Sequence, residues 1–399
     1  MTRIKVLHTG DFHIGIPVVG IKGKGIREIR RNDILNNIKY IFNTAIKEEV
    51  DIVIISGDIF HSPTPKPDDF IMFDNLLRML EEHKIHIVII AGNHDRPRAR
   101  GEYNYLEIYK WRGRPYIHYF HTPQEKPLVL NIKGANIGIA PIPYIIGKII
   151  RAHIRRMSEF RSKYLEIINS IVNQYINNMK NLDYKILVGH LTVEGATIGP
   201  RIRYISYDDP PIPKRMLRPD FFDYIALGHI HKPQKLNGNM CYSGSVEKID
   251  FSEEIEDKSF WIFNLADGTI KEYPIKCRPM KTIEVNIPPL TQPISAVESS
   301  LSNVPNESII RLILRGETGL VRRILEKIDA LENLLFNRFK VIGYKLEFEY
   351  YTPVTPRGMD VERVDFSKIL SEYIRSRYRG RKAEVIDKAI KYGLEMFEK

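Results

Sequence analysis

The sequence predicts an α/β fold with a large first domain, a smaller α/β domain and a helical tail. Short β-branched apolar runs, such as 52–55 and 87–90, alternate with segments whose apolar residues repeat at helical period. The pattern changes near residue 279, after which the alternation resumes on a smaller scale. Residues 363–399 show helical periodicity alone. These patterns indicate sheets covered by helices, followed by an accessory domain and a tail.

Charge and composition narrow the class of protein. The 399 residues carry a net charge of +11, which is typical of proteins with a polyanionic partner such as nucleic acid; a solvated basic surface is the alternative. Cys241 and Cys277 stand in no metal-binding spacing and are expected to be reduced thiols. We see no secretory leader and no apolar run near the roughly 18 residues of a membrane helix, so we expect a cytoplasmic protein.

Local patterns give the elements of the first domain. Strands are predicted where apolar or alternating runs end in turn residues, over 3–11, 52–55, 87–90, 185–188, 224–227, 236–246 and 259–276, with antiparallel strands within 115–142. Helices are predicted from apolar residues three and four apart, over 32–48, 68–82, 102–110 and 158–180. Residues 14–31 are expected to form a loop rich in Gly, Lys and Arg.

We divide the chain into four parts. Residues 1–278 form the first domain, and residues 279–351 form an accessory domain of the order strand, helix, strand, helix, strand. Residues 352–362 contain two prolines and a glycine and are predicted to be a linker. Residues 363–399 are predicted to form two amphipathic helices that dock onto a partner, because each has an apolar face and little of this chain to cover it.

Polar side chains follow five of the predicted strands at the point where each strand ends. Any one of these motifs alone could be a structural turn, but their combination at one sheet edge indicates a ligand site. Carboxylate, amide and imidazole ligands without a thiolate favour Mn²⁺, Fe or Zn²⁺ over Ca²⁺. Seven ligands suit two ions about 4 Å apart, with Asp58 as the bridging carboxylate. The predicted ligands are Asp11, His13, Asp58, Asn93, His190, His229 and His231.

Three further residues complete the predicted site. Two ions can lower the pKa of a shared water and clamp the oxygens of a phosphate. His94 follows Asn93 and is assigned to stabilise the transition state and to protonate the leaving oxygen. Asp95 is expected to orient His94 from behind. His61, three residues beyond Asp58, is a second candidate acid.

Basic side chains near these motifs are candidate phosphate contacts. Their contribution is expected to be independent of base sequence and sensitive to salt, and a solvated surface is the alternative for each. The candidates are Lys22, Lys24, Arg27, Arg30, Arg96, Arg98, Arg100, Arg201 and Arg203.

The motifs resemble those of a known family. Asp11-x-His13, Gly57-Asp58, Gly92-Asn93-His94-Asp95, Gly189-His190 and Gly228-His229-x-His231 are similar to the motifs of the calcineurin-like metallophosphoesterases. Gly57 to Ser62, the Tyr242-Ser243-Gly244-Ser245 segment with Glu247 and Asp250-Phe251, and Gly228 to Lys232 narrow the resemblance to the SbcD and Mre-eleven group of DNA double-strand-break repair nucleases. Residues 1 to about 255 carry this resemblance.

The resemblance implies a two-sheet α/β sandwich flanked by helices, followed by a capping domain. It implies one ion on Asp11, His13, Asp58 and His231 and another on Asp58, Asn93, His190 and His229, with His94 and His61 as catalytic residues that are not ligands. The implied activity is Mn²⁺-dependent 3′–5′ exonuclease and single-strand endonuclease action on DNA, by a nucleoid-associated enzyme.

The resemblance also implies partners. A coiled-coil ABC-type ATPase of the Rad-fifty or SbcC type is expected to bind residues 363–399. A homodimer is implied through the helices near 68–82 and 102–110. The sequence departs from the family at Ile14, where leucine is common, and it looks archaeal because it ends without long basic extensions.

Two other functions stay open at this point. The same metal ligands could serve a phosphatase or phosphodiesterase that acts on a small molecule or a phosphoprotein. The chain could also be a mainly structural subunit that tethers DNA ends. The basic charge and the added domain argue against the first, and the full ligand set with His94 argues against the second.

Overall fold

The computed structural model describes residues 3–96, 104–111, 113–147, 150, 154, 156–197, 209–288, 291–317, 319–350, 371, 374–375 and 383–395. Residues 1–350 belong to one compact unit and residues 351–399 to a second.

The predicted pair of sheets lies within residues 1–278, and each sheet has six strands. The strands of the first sheet are β1 (Lys5–Thr9), β2 (Ile52–Ile55), β3 (His86–Ile90), β4 (Ile117–Phe120), β11 (Lys258–Asn264) and β12 (Ile270–Ile275). The strands of the second are β5 (Leu128–Ile132), β6 (Ala135–Ile142), β7 (Tyr184–His190), β8 (Tyr224–Gly228), β9 (Gln234–Asn237) and β10 (Met240–Tyr242). The first sheet has the order β12-β11-β1-β2-β3-β4 and the second has the order β5-β6-β7-β8-β10-β9.

Alternate side chains of the central strands divide the core into layers. Ile52, Ile54 and Val88 pack between the two sheets against Ile186 and Val188 of the second sheet. The intervening residues point to the other face, because successive side chains of a strand point in opposite directions. There they pack on the helices that flank the sandwich, namely α1 (Ile26–Lys47), α2 (Pro67–Glu82) and α3 (Ile108–Trp111) on the first sheet and α4 (Met157–Met179) on the second.

The structure corrects several predicted boundaries. Helix α1 begins at Ile26 rather than at residue 32, because Gly25 turns the chain with a φ of 67° and Ile26 is buried. Strand β1 ends at Thr9, so Asp11 and His13 lie on a turn and not on a strand. Within residues 115–142, β5 and β6 pair antiparallel, as predicted, whereas β4 pairs parallel to β3 because α3 carries the chain back across the sheet.

The accessory region has a sheet and a core of its own. Its elements are β13 (Met280–Asn286), α5 (Pro293–Ser300), β14 (Ile309–Gly316), α6 (Leu320–Leu325), α7 (Ile328–Asn333) and β15 (Gly343–Tyr350). Its sheet has the order β13-β14-β15 with all strands parallel. Val297, Leu312 and Leu335 lie in its core.

This accessory region is tied closely to the first domain. The backbone of Lys22 pairs with that of Tyr344 on β15, with N···O distances of 2.7 and 2.8 Å. The Arg278 guanidinium donates to both oxygens of Asp33 on α1, at 2.6 and 2.7 Å. Because residues 1–350 form one compact unit, the predicted division at residue 279 stays a prediction.

Little of the tail belongs to the described residues. Helix α8 (Ala383–Glu395) lies where the second tail helix is predicted. The predicted linker and most of the first tail helix lie outside the described residues. In the part of the chain that the structure describes, no helix combines the length and apolar character needed to cross a membrane.

Candidate metal centre

The predicted ligands converge where the carboxyl ends of both sheets meet. Asp11 and His13 follow β1, Asp58 follows β2, and Asn93 follows β3. His190 ends β7, and the turn after β8 carries His229 and His231. Parallel strands bring these positions to one edge, so residues more than 200 positions apart become neighbours. The structure thus brings together all seven residues that the sequence singles out.

One set of ligand atoms surrounds His231. The Nε2 atoms of His13 and His231 face each other at 3.0 Å. The Oδ2 atom of Asp58 lies 3.5 Å from His13 Nε2. We call His13, His231, Asp58 and Asp11 the His231 group; a carboxylate oxygen of Asp11 lies within 4.8 Å of ligand atoms of Asp58 and His190.

A second set surrounds His229. The Oδ1 atom of Asn93 lies 3.0 Å from both His190 Nε2 and His229 Nδ1. Asp58 Oδ2 lies 3.6 Å from His190 Nε2, so this one oxygen contacts both sets. We call Asn93, His190, His229 and Asp58 the His229 group. The ring of Tyr144, which the sequence reasoning missed, packs beside the rings of His190 and His229.

Hydrogen bonds behind the imidazoles fix which nitrogen faces the site. His190 Nδ1 donates to the carbonyl of Ser56 at 2.8 Å. His231 Nδ1 lies 2.8 Å from Glu253 Oε1, and His229 Nε2 lies 2.8 Å from Asp209 Oδ2. Carbonyl and carboxylate oxygens accept here, so the opposite nitrogens turn their lone pairs into the site. The Nδ1 lone pair of His229 and the amide oxygen of Asn93 face each other at 3.0 Å, an arrangement that is repulsive unless a cation lies between them, and the donor set therefore fits metal ions.

The sequence reasoning missed Asp209 and Glu253. Glu253 follows the Asp250-Phe251 motif by two residues, which is the one local signal for it. Asp209 precedes two prolines and stands at the end of none of the strands predicted from sequence. Both residues are buried, so their roles depend on packing rather than on a sequence pattern.

The electrostatics of the site also favour a bound cation. Burial acts to lower the pKa of His190, but the carboxylates of Asp58 and Asp11 outweigh it and raise this pKa to about 9. Burial acts to raise the pKa of Asp58, but the facing His190 holds it well below its usual range. Burial raises the pKa of Asp11. Two buried carboxylates at this position attract positive charge, which a metal ion supplies as well as a proton does.

Glycines leave room for the ligands. A Cβ built on Gly92 would lie 2.7 Å from Asp58 Cγ and closer still to Asp58 Oδ1. Gly57 has a φ of 103°, and a Cβ there would lie 2.9 Å from the imidazole Cγ of His190. The glycines that precede Asp58 and Asn93 are therefore needed for the close approach of strands β2, β3 and β7.

His94 lies at the edge of the His231 group. Its backbone N–H donates to Asp58 Oδ1 at 2.8 Å, and its Nδ1 donates to the carbonyl of His61 at 2.9 Å. One ring nitrogen from each of His13, His61 and His94 lies within 4.8 Å of the others. Burial and the neighbouring His94 lower the pKa of His61 to about 4, so His61 is neutral near pH 7.

Asp95 does not orient the His94 ring, and the prediction for it is wrong in this respect. Its Oδ1 accepts from the backbone N–H groups of Ile59 and Phe60 at 3.0 and 3.1 Å, and its Oδ2 accepts from Gly92 at 2.9 Å. Burial and the Asp58 carboxylate raise the pKa of Asp95 to about 7. Asp95 therefore joins the turns that carry Asp58 and Asn93, while the His61 carbonyl orients His94.

The predicted phosphate contacts fall into four sets. Lys22, Lys24 and Arg27 are exposed. Arg30 is 4% exposed and donates to the Lys248 carbonyl at 2.5 Å, so the prediction of a DNA contact at Arg30 is wrong: the side chain holds the fold together. Arg96 is partly buried and donates to the carbonyl of His121. The remaining candidates, Arg98, Arg100, Arg201 and Arg203, lie outside the described residues.

Comparisons with known proteins bear on the predicted resemblance. A family model described as calcineurin-like phosphoesterase matches residues 4–233. The chain is 25% identical to the SbcD subunit of the nuclease SbcCD of Staphylococcus epidermidis over 290 residues, which cover 71% of this chain and 72% of that protein. This match confirms the predicted resemblance to the SbcD group.

Solved structures of low identity also match. A dimetal phosphatase from Danio rerio matches with a TM-score of 0.40 and 10% identity, over 68% of this chain and 95% of that chain. A purple acid phosphatase from yellow lupin seeds matches with a TM-score of 0.35 and 15% identity, over 69% of this chain and 54% of that chain. The family model spans more than half of the 399 residues, and the chain therefore belongs to the calcineurin-like phosphoesterase family.

Proposed function

We propose that this phosphoesterase is a DNA nuclease that binds two manganese ions. In this proposal it acts as a 3′–5′ exonuclease and a single-strand endonuclease on DNA ends during double-strand-break repair. The observation that carries the proposal is the pair of ligand groups that share Asp58 Oδ2, each with imidazole lone pairs turned inward. The relative named as a component of the nuclease SbcCD and the net charge of +11 support DNA as the substrate.

We assign one ion to each group. Asp11, His13, Asp58 and His231 would hold one, and Asp58, Asn93, His190 and His229 would hold the other. Oxygen and imidazole ligands without a thiolate suit Mn²⁺. When bound, the ions polarise the oxygens of a phosphodiester and lower the pKa of water.

His94 supplies the proton in this mechanism. The His61 carbonyl accepts from His94 Nδ1, which leaves His94 Nε2 for a substrate oxygen. In this role His94 Nε2 protonates the leaving oxygen of the broken DNA strand. His61, with its pKa lowered to about 4, is neutral at pH 7 and serves as a hydrogen-bonding neighbour rather than as the proton donor.

Exposed cations provide the contact with the DNA backbone. Lys22, Lys24 and Arg27 are exposed on a segment whose backbone pairs with Tyr344 of the accessory sheet. We propose that this segment and the accessory region, residues 279–351, together form the capping surface over bound DNA. Binding through such contacts weakens as salt rises, with little dependence on base sequence.

Two protein partners belong to the proposal. Ile71 lies on α2, Tyr105 on the turn before α3, and Trp111 on α3. These residues are 55%, 48% and 73% exposed, respectively. Exposed apolar side chains of this size support a homodimer through these helices. Residues 363–399, which include the amphipathic helix α8, are proposed to bind a coiled-coil ABC-type ATPase of the SbcC or Rad-fifty type.

Nuclease assays of the purified chain test the proposal. End-labelled duplex and single-stranded DNA are incubated with Mn²⁺ or Mg²⁺, beside the variant His94→Ala. We expect Mn²⁺-dependent cleavage that His94→Ala lowers by about 10²–10⁴-fold without loss of DNA binding. Hydrolysis of bis-p-nitrophenyl phosphate without DNA cleavage would favour the small-molecule phosphodiesterase. DNA binding with neither activity would favour the structural subunit.

A further inference from the structure

Glu253 holds the metal ligand His231 from behind. Its Oε1 lies 2.8 Å from His231 Nδ1, and its Oε2 accepts from the backbone N–H of Ile249 at 3.0 Å. The side chain of Glu253 is 8% exposed. A buried carboxylate with both oxygens engaged has little freedom, and it fixes the tautomer and the direction of the imidazole that it contacts.

A buried lysine fixes Glu253 in turn. Lys258 is 1% exposed, and its Nζ lies 2.8 Å from Glu253 Oε2 and 2.8 Å from Glu256 Oε2. The same Nζ donates to the backbone carbonyl of His231 at 2.9 Å. His231 is therefore held at its ring by Glu253 and at its backbone by Lys258, and these two holding groups form one ion pair.

The residues on either side of Glu253 contact the accessory region. Phe251 packs in a small core with Met280 and Ile309, and the guanidinium carbon of Arg311 lies 5.3 Å from the centre of the Phe251 ring. Glu254 Oε2 accepts from the backbone N–H of Thr282 at 2.7 Å. Strands β13 and β14 carry these partners, so the short turn 251–254 connects the accessory sheet to His231.

The corresponding support of His229 has no such connection among the described residues. Asp209 Oδ2 accepts from Thr192 Oγ1 at 2.6 Å, and Tyr164 donates to Asp209 Oδ1 at 3.3 Å. Thr192 follows β7 and Tyr164 belongs to α4, and both lie on the second sheet's side of the sandwich. Within the described part of the chain, the accessory region therefore contacts the residues that support His231 and not those that support His229.

We propose that Glu253 is a positioning residue for His231, and that docking of the accessory region on the turn 251–254 sets the affinity of the ion in the His231 group. This inference rests on the proposed two-ion centre. If the contacts of Phe251 or Glu254 with the accessory region loosen, Glu253 moves, the His231 imidazole turns and the ion in the His231 group binds more weakly. The ion in the His229 group keeps its ligands. A partner that displaces the accessory region would thereby control one of the two ions.

Binding of Mn²⁺ to the full chain tests the proposal without a nuclease assay. Isothermal titration gives the two affinities, and electron paramagnetic resonance distinguishes a coupled pair of ions from a single one. We expect Glu253→Ala to lower the Mn²⁺ affinity of the His231 group by about 10–100-fold and to leave that of the His229 group unchanged. We expect Glu253→Gln to lose less, because an amide oxygen still accepts from His231 Nδ1. Arg311→Ala, which touches no ligand, is expected to weaken the same ion by a smaller factor.

Controls separate this proposal from the metal centre itself. Glu326→Gln removes a charge from an exposed ion pair of the accessory region and should leave both affinities unchanged. The melting temperature of each metal-free variant reports folding, and if Glu253→Ala fails to fold, Glu253→Gln provides the test. A wild-type chain that binds fewer than two ions overturns the metal centre. Wild-type affinities in the Glu253 variants overturn the positioning role alone, and wild-type affinities in Arg311→Ala overturn the link to the accessory region.

Discussion

The substitution Gly92→Ala tests the geometry of the centre without touching a ligand. Gly92 precedes Asn93, and its α-carbon lies against the turn that carries Asp58. Its φ lies outside the left-handed region, so alanine fits the backbone and the effect is purely steric. The new methyl group would meet the carboxylate of Asp58, which both ligand groups share.

The size of the effect follows from the contact distance. The new Cβ would lie 2.7 Å from Asp58 Cγ, whereas carbon atoms pack best at about 3.5–4.0 Å. Asp58 must therefore move by about 1 Å, although its Oδ1 accepts from the backbone of His94 at 2.8 Å. Crowding of this kind costs about 1–3 kcal/mol of unfolding free energy. A displacement of about 1 Å at a catalytic site lowers kcat by about 10²-fold.

The control is Gly238→Ala, since a Cβ at Gly238 meets no atom within 4 Å and its φ is also ordinary. Urea unfolding, Mn²⁺ titration and DNA cleavage are measured for both variants. We expect Gly238→Ala to match the wild type and Gly92→Ala to lose both Mn²⁺ affinity and cleavage. If both variants bind Mn²⁺ and cleave DNA alike, the tight approach of Gly92 to Asp58 does not govern the site, and the reasoning is refuted.

Three further predictions concern stability. Mn²⁺ at 100 times its dissociation constant should stabilise the fold by about 2.7 kcal/mol per ion, seen as a rise in melting temperature that EDTA reverses and that Gly92→Ala lacks. Burial lowers the pKa of His8 to about 3, so the folded state binds fewer protons than the unfolded state below pH 6.5 and stability falls as the pH falls. Between pH 7.5 and 5.5, the unfolding free energy measured in urea should fall by about 1.4 kcal/mol more in the wild type than in His8→Asn. An equal fall in both proteins would contradict this account. Arg278→Ala should lose about 1.5–3 kcal/mol in urea unfolding through its bidentate contact with Asp33, whereas Arg322→Ala, on an exposed side chain, should lose almost none.

The ligands could be predicted from sequence because the rule that gathers them is local. Each of Asp58, Asn93 and His190 stands within a few residues of the end of an apolar strand, and parallel strands end at the same edge. No long-range contact has to be known in advance. The sandwich follows by the same logic, since residues 52–55 and 87–90 are apolar on both faces and so need a layer on each side.

The groups behind the ligands could not be predicted in this way. Glu253 lies 22 residues from His231, Asp209 lies 20 residues from His229, and neither spacing repeats any period of a helix or strand. The sequence places Arg30 in a predicted basic loop. Its side chain is buried because it contacts Glu247 and Lys248, which lie more than 200 residues away in the sequence. Such contacts depend on how separate elements pack, and a local pattern carries no information about that packing.

The backbone at the metal centre is strained, and this strain lowers the stability of the fold while it places the ligands. Asp11, His13, Asp58 and His229 have φ values of 50°, 48°, 51° and 95°, in a region that residues with a Cβ avoid at a cost of about 1–3 kcal/mol each. Cross-bonds hold them there: Asp11 N donates to Gly57 O, and His13 N donates to Asp58 O, both at 2.9 Å. The turns after β1 and β2 thus constrain each other's ligands. Because these strained turns are already formed in the metal-free chain, binding of cations needs little rearrangement, and their binding energy offsets what the turns cost.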